Sequence, residues 1–182
     1  MPVRILLLAA NPTQTSKLSL DEEAREIELK IRQAEFRDKF QFRTQWAVRP
    51  DDIIDLINSY NPHILHFSGH GPEKDGIILR DRNGAPKVLR GTGLKQLLTT
   101  VQNCVRLVAF NACFSSAQAR LIADSVGFAI GTPRAISDDV AIYFAASFYR
   151  ALAYGRSVRD SFQQGLVAIR LEIVGRQINR YE

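Results

Sequence analysis

The sequence has few of the residues that build disulfide frameworks and metal sites. Only two of its 182 residues are cysteines, Cys104 and Cys113, and only three are histidines. The cysteines do not form a CxxC pair, and no Cys/His spacing typical of zinc occurs. This composition excludes a disulfide-rich secreted scaffold and favours a reducing cytoplasm. We therefore expect neither a metal ion nor an organic cofactor.

Long apolar runs and a strong charge of one sign are also lacking. The longest purely apolar run, residues 5–10, is shorter than the roughly 20 residues of a membrane span or the 7 to 15 of a signal-peptide core. The net charge is only +5, without the dense Lys/Arg stripe that nucleic-acid binding needs. We therefore expect neither a membrane nor a nucleic acid as a partner.

What is present is a regular alternation of strand and helix patterns. With 46% hydrophobic residues, the chain suits one compact domain that buries roughly 70% of its unfolded surface. The patterns predict strands over 3–9, 40–48, 64–68, 105–110 and 128–131, and a hairpin over 76–89 that turns at Asn83-Gly84. They also predict helices that begin near Ser19, Pro50, Thr92, Ala117, Val140 and Ser157, the last of which ends near Leu171. Such alternation predicts a single α/β domain over residues 1–182, a three-layer αβα sandwich around a mostly parallel sheet.

Two predicted strands are followed directly by reactive side chains. His70 lies between glycines after the third strand, and Cys113 follows the apolar strand 105–110. Functional loops of such sheets gather at the carboxyl ends of strands, and neighbouring strands would bring these two loops together. A cysteine thiol becomes a strong nucleophile when a nearby imidazole or helix amino terminus stabilises its thiolate, and Cys113 is placed to have both. The backbone N–H groups of Gly71 and Cys113 could then bind a developing oxyanion.

Five sequence blocks, in order, carry a resemblance to a known family. They are Ile5-Leu6-Leu7-Leu8-Ala9-Ala10-Asn11-Pro12, Leu20-Asp21-Glu22-Glu23-Ala24-Arg25-Glu26-Ile27, Ala47-Val48-Arg49-Pro50, His66-Phe67-Ser68-Gly69-His70-Gly71 and Asn111-Ala112-Cys113-Phe114-Ser115. The chain resembles the caspase-like cysteine peptidases of clan CD, and in particular their bacterial CHAT branch. The 43 residues from His70 to Cys113 are close to the roughly 50 of a caspase-type pair.

The resemblance implies a caspase-like fold with flavodoxin-like topology and a cysteine endopeptidase activity. In that reading Cys113 is the nucleophile and His70 the catalytic base or acid. It further implies a protein or peptide substrate, activation by a partner protein, an upstream protease or self-association, and a role in bacterial defence or cell death. Asn111 stands where caspases have Gln, so Asn111 either lines the substrate pocket or bonds backbone as a buried amide.

A second departure concerns specificity. Residues 131–139 resemble the caspase segment whose final Arg helps to receive an acidic P1 side chain, but Asp139 stands at that position. An acid there would favour Arg or Lys at P1, since truncating one partner of a desolvated charge pair commonly costs about 2 to 5 kcal/mol. Alternatively, Asp138 and Asp139 cap the following helix.

Other readings compete with the enzymatic one. The chain could be an inactive caspase-like scaffold that acts by protein–protein interaction, or a flavodoxin-like domain that binds a nucleotide, although residues 11–16 have no glycine to hold phosphate. We interpret Cys104, His63 and His66 as structural residues. Ser68 either orients His70 or closes a turn, and we favour the turn. The basic stretch 80–120 could attract an acidic protein segment, but a solvated hairpin and helix face explains it more simply.

Overall fold

The computed structural model describes residues 1–72, 76–101 and 104–178. These residues form two compact units. The first comprises Met1–Leu20 and Gln41–Ile136, and the second comprises Asp21–Phe40 and the chain from Ser137 onward. The organisation of residues 1–182 as one domain stays a prediction.

The predicted elements are present in the expected order. The strands are β1 Val3–Ala10, β2 Phe40–Gln45, β3 Ile64–Gly69, β4 Ile77–Arg80, β5 Pro86–Leu89, β6 Leu107–Asn111 and β7 Phe128–Ile130. The helices are α1 Leu20–Arg32, α2 Asp52–Tyr60, α3 Gly91–Thr100, α4 Ser116–Ile122, α5 Asp138–Ala153 and α6 Val158–Ile178.

The first unit is built on a five-stranded sheet in the order β2-β1-β3-β6-β7. The pairs β1–β3, β3–β6 and β6–β7 are parallel, so the predicted mostly parallel α/β sheet is confirmed. β1 is apolar and buried on both faces from Ile5 onward, as is typical of a central strand of a parallel sheet. β3 is buried along its whole length, although one of its faces carries His66 and Ser68. β4 and β5 form the predicted antiparallel hairpin, which turns at Gly84 with φ +84°.

The core of this unit lies against one face of the sheet. Leu6, Leu8 and Phe67 point into a cluster with residues of α2, α3, α4 and the hairpin. Ile5 and Leu7 point to the opposite face and are also fully buried, so both faces of the sheet are covered. This core surrounds the central strands, and the chain segments with His70 and Cys113 begin where β3 and β6 end.

The second unit is helical and is held by aromatic and small residues. The Phe144 ring packs on Phe148 of the same helix and edge-on against Phe162 of α6, at centroid distances of 5.9 and 5.5 Å. Gly165 allows this close approach, because a Cβ there would lie 2.7 Å from the Phe144 ring. α6 begins as predicted, with Ser157 Oγ accepting the Asp160 N–H at 3.1 Å.

Some local predictions were wrong. α3 begins at Gly91 after Arg90, so Thr92 lies inside the helix rather than capping it. Ser68 belongs to β3 and is paired in register with Asn111, so it does not form a turn. The last helix extends to Ile178, beyond the predicted end near Leu171, because no proline or capping glycine stops it there.

Candidate active site

The candidate site lies at the carboxyl edge of the sheet, where two neighbouring strands end. β3 and β6 pair in parallel, and Ser68 lies beside Asn111 in their register. Each strand is followed within two residues by its reactive side chain, His70 after β3 and Cys113 after β6. β3 and β6 are therefore neighbouring strands, as the predicted pairing of His70 with Cys113 requires.

The two loops touch through their backbones at Gly71. A Cβ placed on Gly71 would overlap the carbonyl oxygen of Cys113 and would lie 3.1 Å from the Cys113 nitrogen. Only glycine allows the main chain beside His70 to approach Cys113 so closely. This contact places the backbone next to His70 directly against the backbone of Cys113.

The His70 ring is oriented by a backbone carbonyl. Its Nε2 lies 2.8 Å from the carbonyl oxygen of Ser16, in the loop between β1 and α1. A carbonyl oxygen can only accept, so Nε2 carries the proton, and the neutral ring keeps its lone pair on Nδ1. The main chain of His70 is held as well, because its own carbonyl accepts the Ile78 N–H at 2.9 Å. The ring is therefore ready to take up a proton at Nδ1.

The Cys113 sulfur is half-buried and lies against the peptide groups of Ile136. The Ile136 N–H donates to Sγ at 3.5 Å, and the thiol lies 3.8 Å from the Ile136 carbonyl oxygen. The sulfur therefore accepts one backbone hydrogen bond and faces one backbone acceptor. The segment 131–136 thus supplies a polar environment for the thiol.

A strained turn presents Cys113 at the end of β6. Phe114 has φ +53°, in the left-handed region that non-glycine residues rarely enter. Its N–H donates to Arg134 O at 3.3 Å. The fully buried Ser115 braces the turn, since its Oγ donates to Ala112 O at 2.7 Å and accepts the Thr132 N–H at 3.1 Å. α4 then begins at Ser116, three residues after the cysteine, which is the nearby helix amino terminus that we expected.

The remaining candidate residues fall in two places. Asn111, half-buried, is the last residue of β6 and lies two positions before Cys113. Asp138 and Asp139 belong to the first turn of α5, in the second unit. There Asp139 lines a cavity of about 440 Å³ together with Glu22 and Glu26 of α1.

Two of the residues that we interpreted as structural have partners consistent with that role. His63 Nδ1 accepts the backbone N–H of Arg4 at 3.0 Å. Burial lowers the pKa of His63, and the positive charges of Arg4, Arg106 and the amino terminus lower it further. The Cys104 thiol donates to Val101 O at 3.5 Å, within its own turn. Neither residue belongs to the edge that carries His70 and Cys113.

Comparisons with known proteins identify the family and the fold of the chain. The model of the CHAT domain family matches residues 2–172. The chain belongs to the CHAT domain family. A solved structure, a secreted C11 cysteine protease from Bacteroides thetaiotaomicron in complex with an irreversible peptide inhibitor, superposes on 90% of the chain with a TM-score of 0.58 and 12% identity, and the match covers 57% of that protein. The predicted caspase-like α/β fold is confirmed.

Two curated relatives of this CHAT domain carry the word protease in their names. A probable protease from Gillisia limnaea is 28% identical over 83% of the chain, and a Roc-COR-CHAT protease from an unknown prokaryotic organism is 22% identical over 92%. The chain spans only 27% and 16% of the lengths of these two proteins. In the part of the chain that the structure describes, no helix is long and apolar enough to cross a membrane.

Three features of the CHAT domain's site were missed by sequence reasoning. They are the Ser16 carbonyl that orients His70, the Ile136 peptide groups at the sulfur, and the left-handed Phe114. The first two act through backbone atoms, which every residue type carries, so the sequence holds no signal for them. Phe114 stands where glycine would ordinarily mark a left-handed turn, and only the structure reveals it.

Proposed function

We propose that this CHAT domain is a cysteine endopeptidase in which Cys113 and His70 form the catalytic dyad. The observation that carries the proposal is the contact between Gly71 and Cys113 at the ends of two adjacent parallel strands. The protease names of the curated relatives support it. In this scheme the domain hydrolyses a peptide bond of a protein or peptide substrate.

The first step is acylation of the enzyme. His70 Nδ1 accepts the thiol proton, and Cys113 Sγ attacks the carbonyl carbon of the scissile peptide. The carbonyl π electrons move to oxygen, and the N–H groups of Gly71 and Cys113 bind the resulting oxyanion. When the oxyanion collapses, the C–N bond breaks and His70 gives its proton to the leaving amine. Ser16 O supports this step because its bond to Nε2–H stabilises the imidazolium that forms.

The second step is hydrolysis of the acyl-enzyme. His70 Nδ1 takes a proton from water, the hydroxide attacks the thioester carbonyl, and the same N–H groups hold the second oxyanion. The C–S bond then breaks, and the sulfur leaves as a thiolate. His70 returns the proton to sulfur, which restores the resting dyad.

Substrate choice belongs to the same proposal. We assign Asn111 to the wall of the substrate pocket and Asp139, with Asp138, to the recognition of Arg or Lys at P1. Matched peptides that differ only at P1 test this assignment. A basic P1 should be cleaved best, and Asp139→Asn should lower kcat/KM for that peptide about 30-fold or more, the equivalent of about 2 kcal/mol. Equal or better cleavage after Asp would contradict the assignment.

We further propose that the peptidase works in the reducing cytoplasm, as part of a prokaryotic defence or cell-death pathway that a partner or an upstream protease switches on. A reducing compartment protects a free nucleophilic thiol from oxidation. Expression of the wild type and of Cys113→Ala in bacteria challenged with phage tests the role. Protection, or death of the host cell, that does not require Cys113 would contradict it.

Mass spectrometry of the products from a peptide library is the direct test of activity. Wild-type protein should release defined fragments, each ending at the same class of residue, and Cys113→Ala should release none. If both proteins leave the library intact while a partner protein binds equally well to both, the domain is an inactive scaffold.

A further inference from the structure

The loop between β1 and α1 carries a carbonyl that holds the His70 ring. Ser16 lies in this loop, outside any helix or strand, and is exposed. A carbonyl in an exposed loop orients a catalytic ring only if the loop itself is held. The question is therefore which residue holds Ser16.

The side chain of Asn11 joins the two ends of the loop. Its Nδ2 donates to the Leu18 carbonyl oxygen at 3.0 Å, and its Oδ1 accepts the Leu18 N–H at 3.3 Å. The amide satisfies both groups of a single residue seven positions away, so its orientation is defined by donor and acceptor together. Leu18 follows Ser16 by two residues, so this clamp of two bonds fixes the chain close to the Ser16 carbonyl.

Two threonines add bonds on the amino-terminal side of the loop. Thr13 N–H and Oγ1 both donate to Gly84 O in the hairpin turn, at 3.1 and 3.3 Å. Thr15 N–H and Oγ1 both donate to Pro12 O, at 3.2 and 2.8 Å. These bonds anchor residues before Ser16. Asn11 reaches across the loop to its far end.

We propose that Asn11 is a positioning residue for the dyad and acts through Ser16. By pinning Leu18, Asn11 holds the Ser16 carbonyl at His70 Nε2, so that Nδ1 is the nitrogen available to the thiol proton. Asn11 itself touches neither the substrate nor the reacting atoms in this scheme. The inference rests on the proposed function, because it assigns the ring a part in catalysis.

The loss of Asn11 should therefore impair the chemical step more than substrate binding. Without the clamp, Ser16 moves with the loop and the ring loses the bond that sets its orientation. A misplacement of about 1 Å at a reacting group can cost on the order of 100-fold in rate. We expect Asn11→Ala to lower kcat about 10-fold to 100-fold, with KM changed less than about twofold.

A spectroscopic measurement on the resting protein separates positioning from general loss of structure. The proton on His70 Nε2, followed by ¹⁵N NMR, should be protected from exchange in the wild type because Ser16 O accepts it. Asn11→Ala should exchange this proton faster. Thr15→Ala is the matched control, since it removes one bond of the same loop while leaving the clamp, and it should retain the wild-type signal and kcat.

Asn11→Asp is the conservative variant. It has the same shape and can still accept the Leu18 N–H, but a carboxylate oxygen then faces Leu18 O in place of the amide N–H and repels it, so kcat should fall as in Asn11→Ala. Should Asn11→Ala fail to fold, Asn11→Asp carries the test alone.

Two results would overturn the proposal. One is that Asn11→Ala keeps both the wild-type kcat and the wild-type exchange rate of the His70 Nε2–H proton. If Asn11→Ala does not fold, the same result in Asn11→Asp would overturn it. The other is an equal loss in Thr15→Ala, which would mean that any bond in the loop matters alike. If the wild type cleaves nothing and yet the signal responds to Asn11 as described, the proposed function fails while the positioning of the ring stands.

Discussion

At the scale of single residues, the two cysteines allow a controlled comparison, because Cys104→Ala is a control for Cys113→Ala. Cys113 lies at the site edge, and Cys104 bonds within its own turn. Cys113→Ala should lower turnover by on the order of 10⁴ or more, because the covalent step loses its nucleophile. Cys104→Ala should turn over peptide like the wild type. Initial-rate assays on a cleaved peptide check both, and near wild-type turnover by Cys113→Ala would refute the assignment.

Gly71 allows a second residue-scale prediction. Gly71→Ala places a Cβ on the Cys113 carbonyl oxygen, so the two loops must separate, and activity should fall at least about 100-fold. Gly93→Ala is the control, because a Cβ there meets nothing within 4 Å and lies in helix α3. It should raise the free energy of unfolding by about 0.5 to 1 kcal/mol without altering activity. Activity assays and urea unfolding measure both effects, and an active Gly71→Ala would contradict the close approach.

Sequence reasoning reached the candidate side chains but not their backbone partners. His70 stood out because glycines flank it after a buried strand, and Cys113 because it follows another such strand. The Ser16 carbonyl and the Ile136 N–H come from loops distant in sequence, and their approach depends on how those loops close. Almost every residue type has a backbone carbonyl and N–H group, so the sequence does not indicate which of these groups contact His70 and Cys113. Only the structure shows these contacts.

At the scale of elements, β3 and β6 are held together by an aromatic pair. The rings of Phe67 and Phe110 stack at 5.4 Å, and each lies three residues before its reactive side chain. Phe67→Ala should lower the free energy of unfolding by about 3 to 5 kcal/mol through a cavity. Phe67→Leu refills much of the volume and should cost less than half as much. Urea denaturation compares them, and equal stabilities would show that the stack is unimportant.

The strands and helices could be predicted from the sequence where their buried positions leave a recognisable pattern of apolar residues. β1 and β6 are apolar runs because both faces of these strands are buried. The start of α3 was not predictable from Thr92, because Arg90 adopts the extended N-cap conformation without any side-chain bond. When an N-cap residue has the extended backbone conformation but makes no side-chain hydrogen bond, its residue type does not indicate where the helix begins.

At the scale of the whole molecule, the buried Tyr149 should make the free energy of unfolding depend on pH in alkaline solution. The hydroxyl is fully buried in α5, and burial, aided by the charge of Glu23, raises its pKa well above the usual 10. The folded protein therefore keeps this proton at a pH where the unfolded chain loses it. The free energy of unfolding must then fall as pH rises above about 10.

Tyr149→Phe isolates this effect. It removes the titrating group, so the difference in unfolding free energy between wild type and variant should be constant below about pH 9 and should shift in favour of the variant above about pH 10. Urea unfolding at a series of pH values measures this difference. A difference that stays constant to about pH 11 would contradict the assignment.

The measurement that tests the central claim most directly is the intact mass of the protein after reaction with a peptidyl electrophile. The wild type and Cys104→Ala should each gain one adduct, and Cys113→Ala should gain none. His70→Ala should react much more slowly, because no base takes the thiol proton. Equal labelling of Cys113→Ala, or wild-type rates without His70, would contradict a dyad of these two residues.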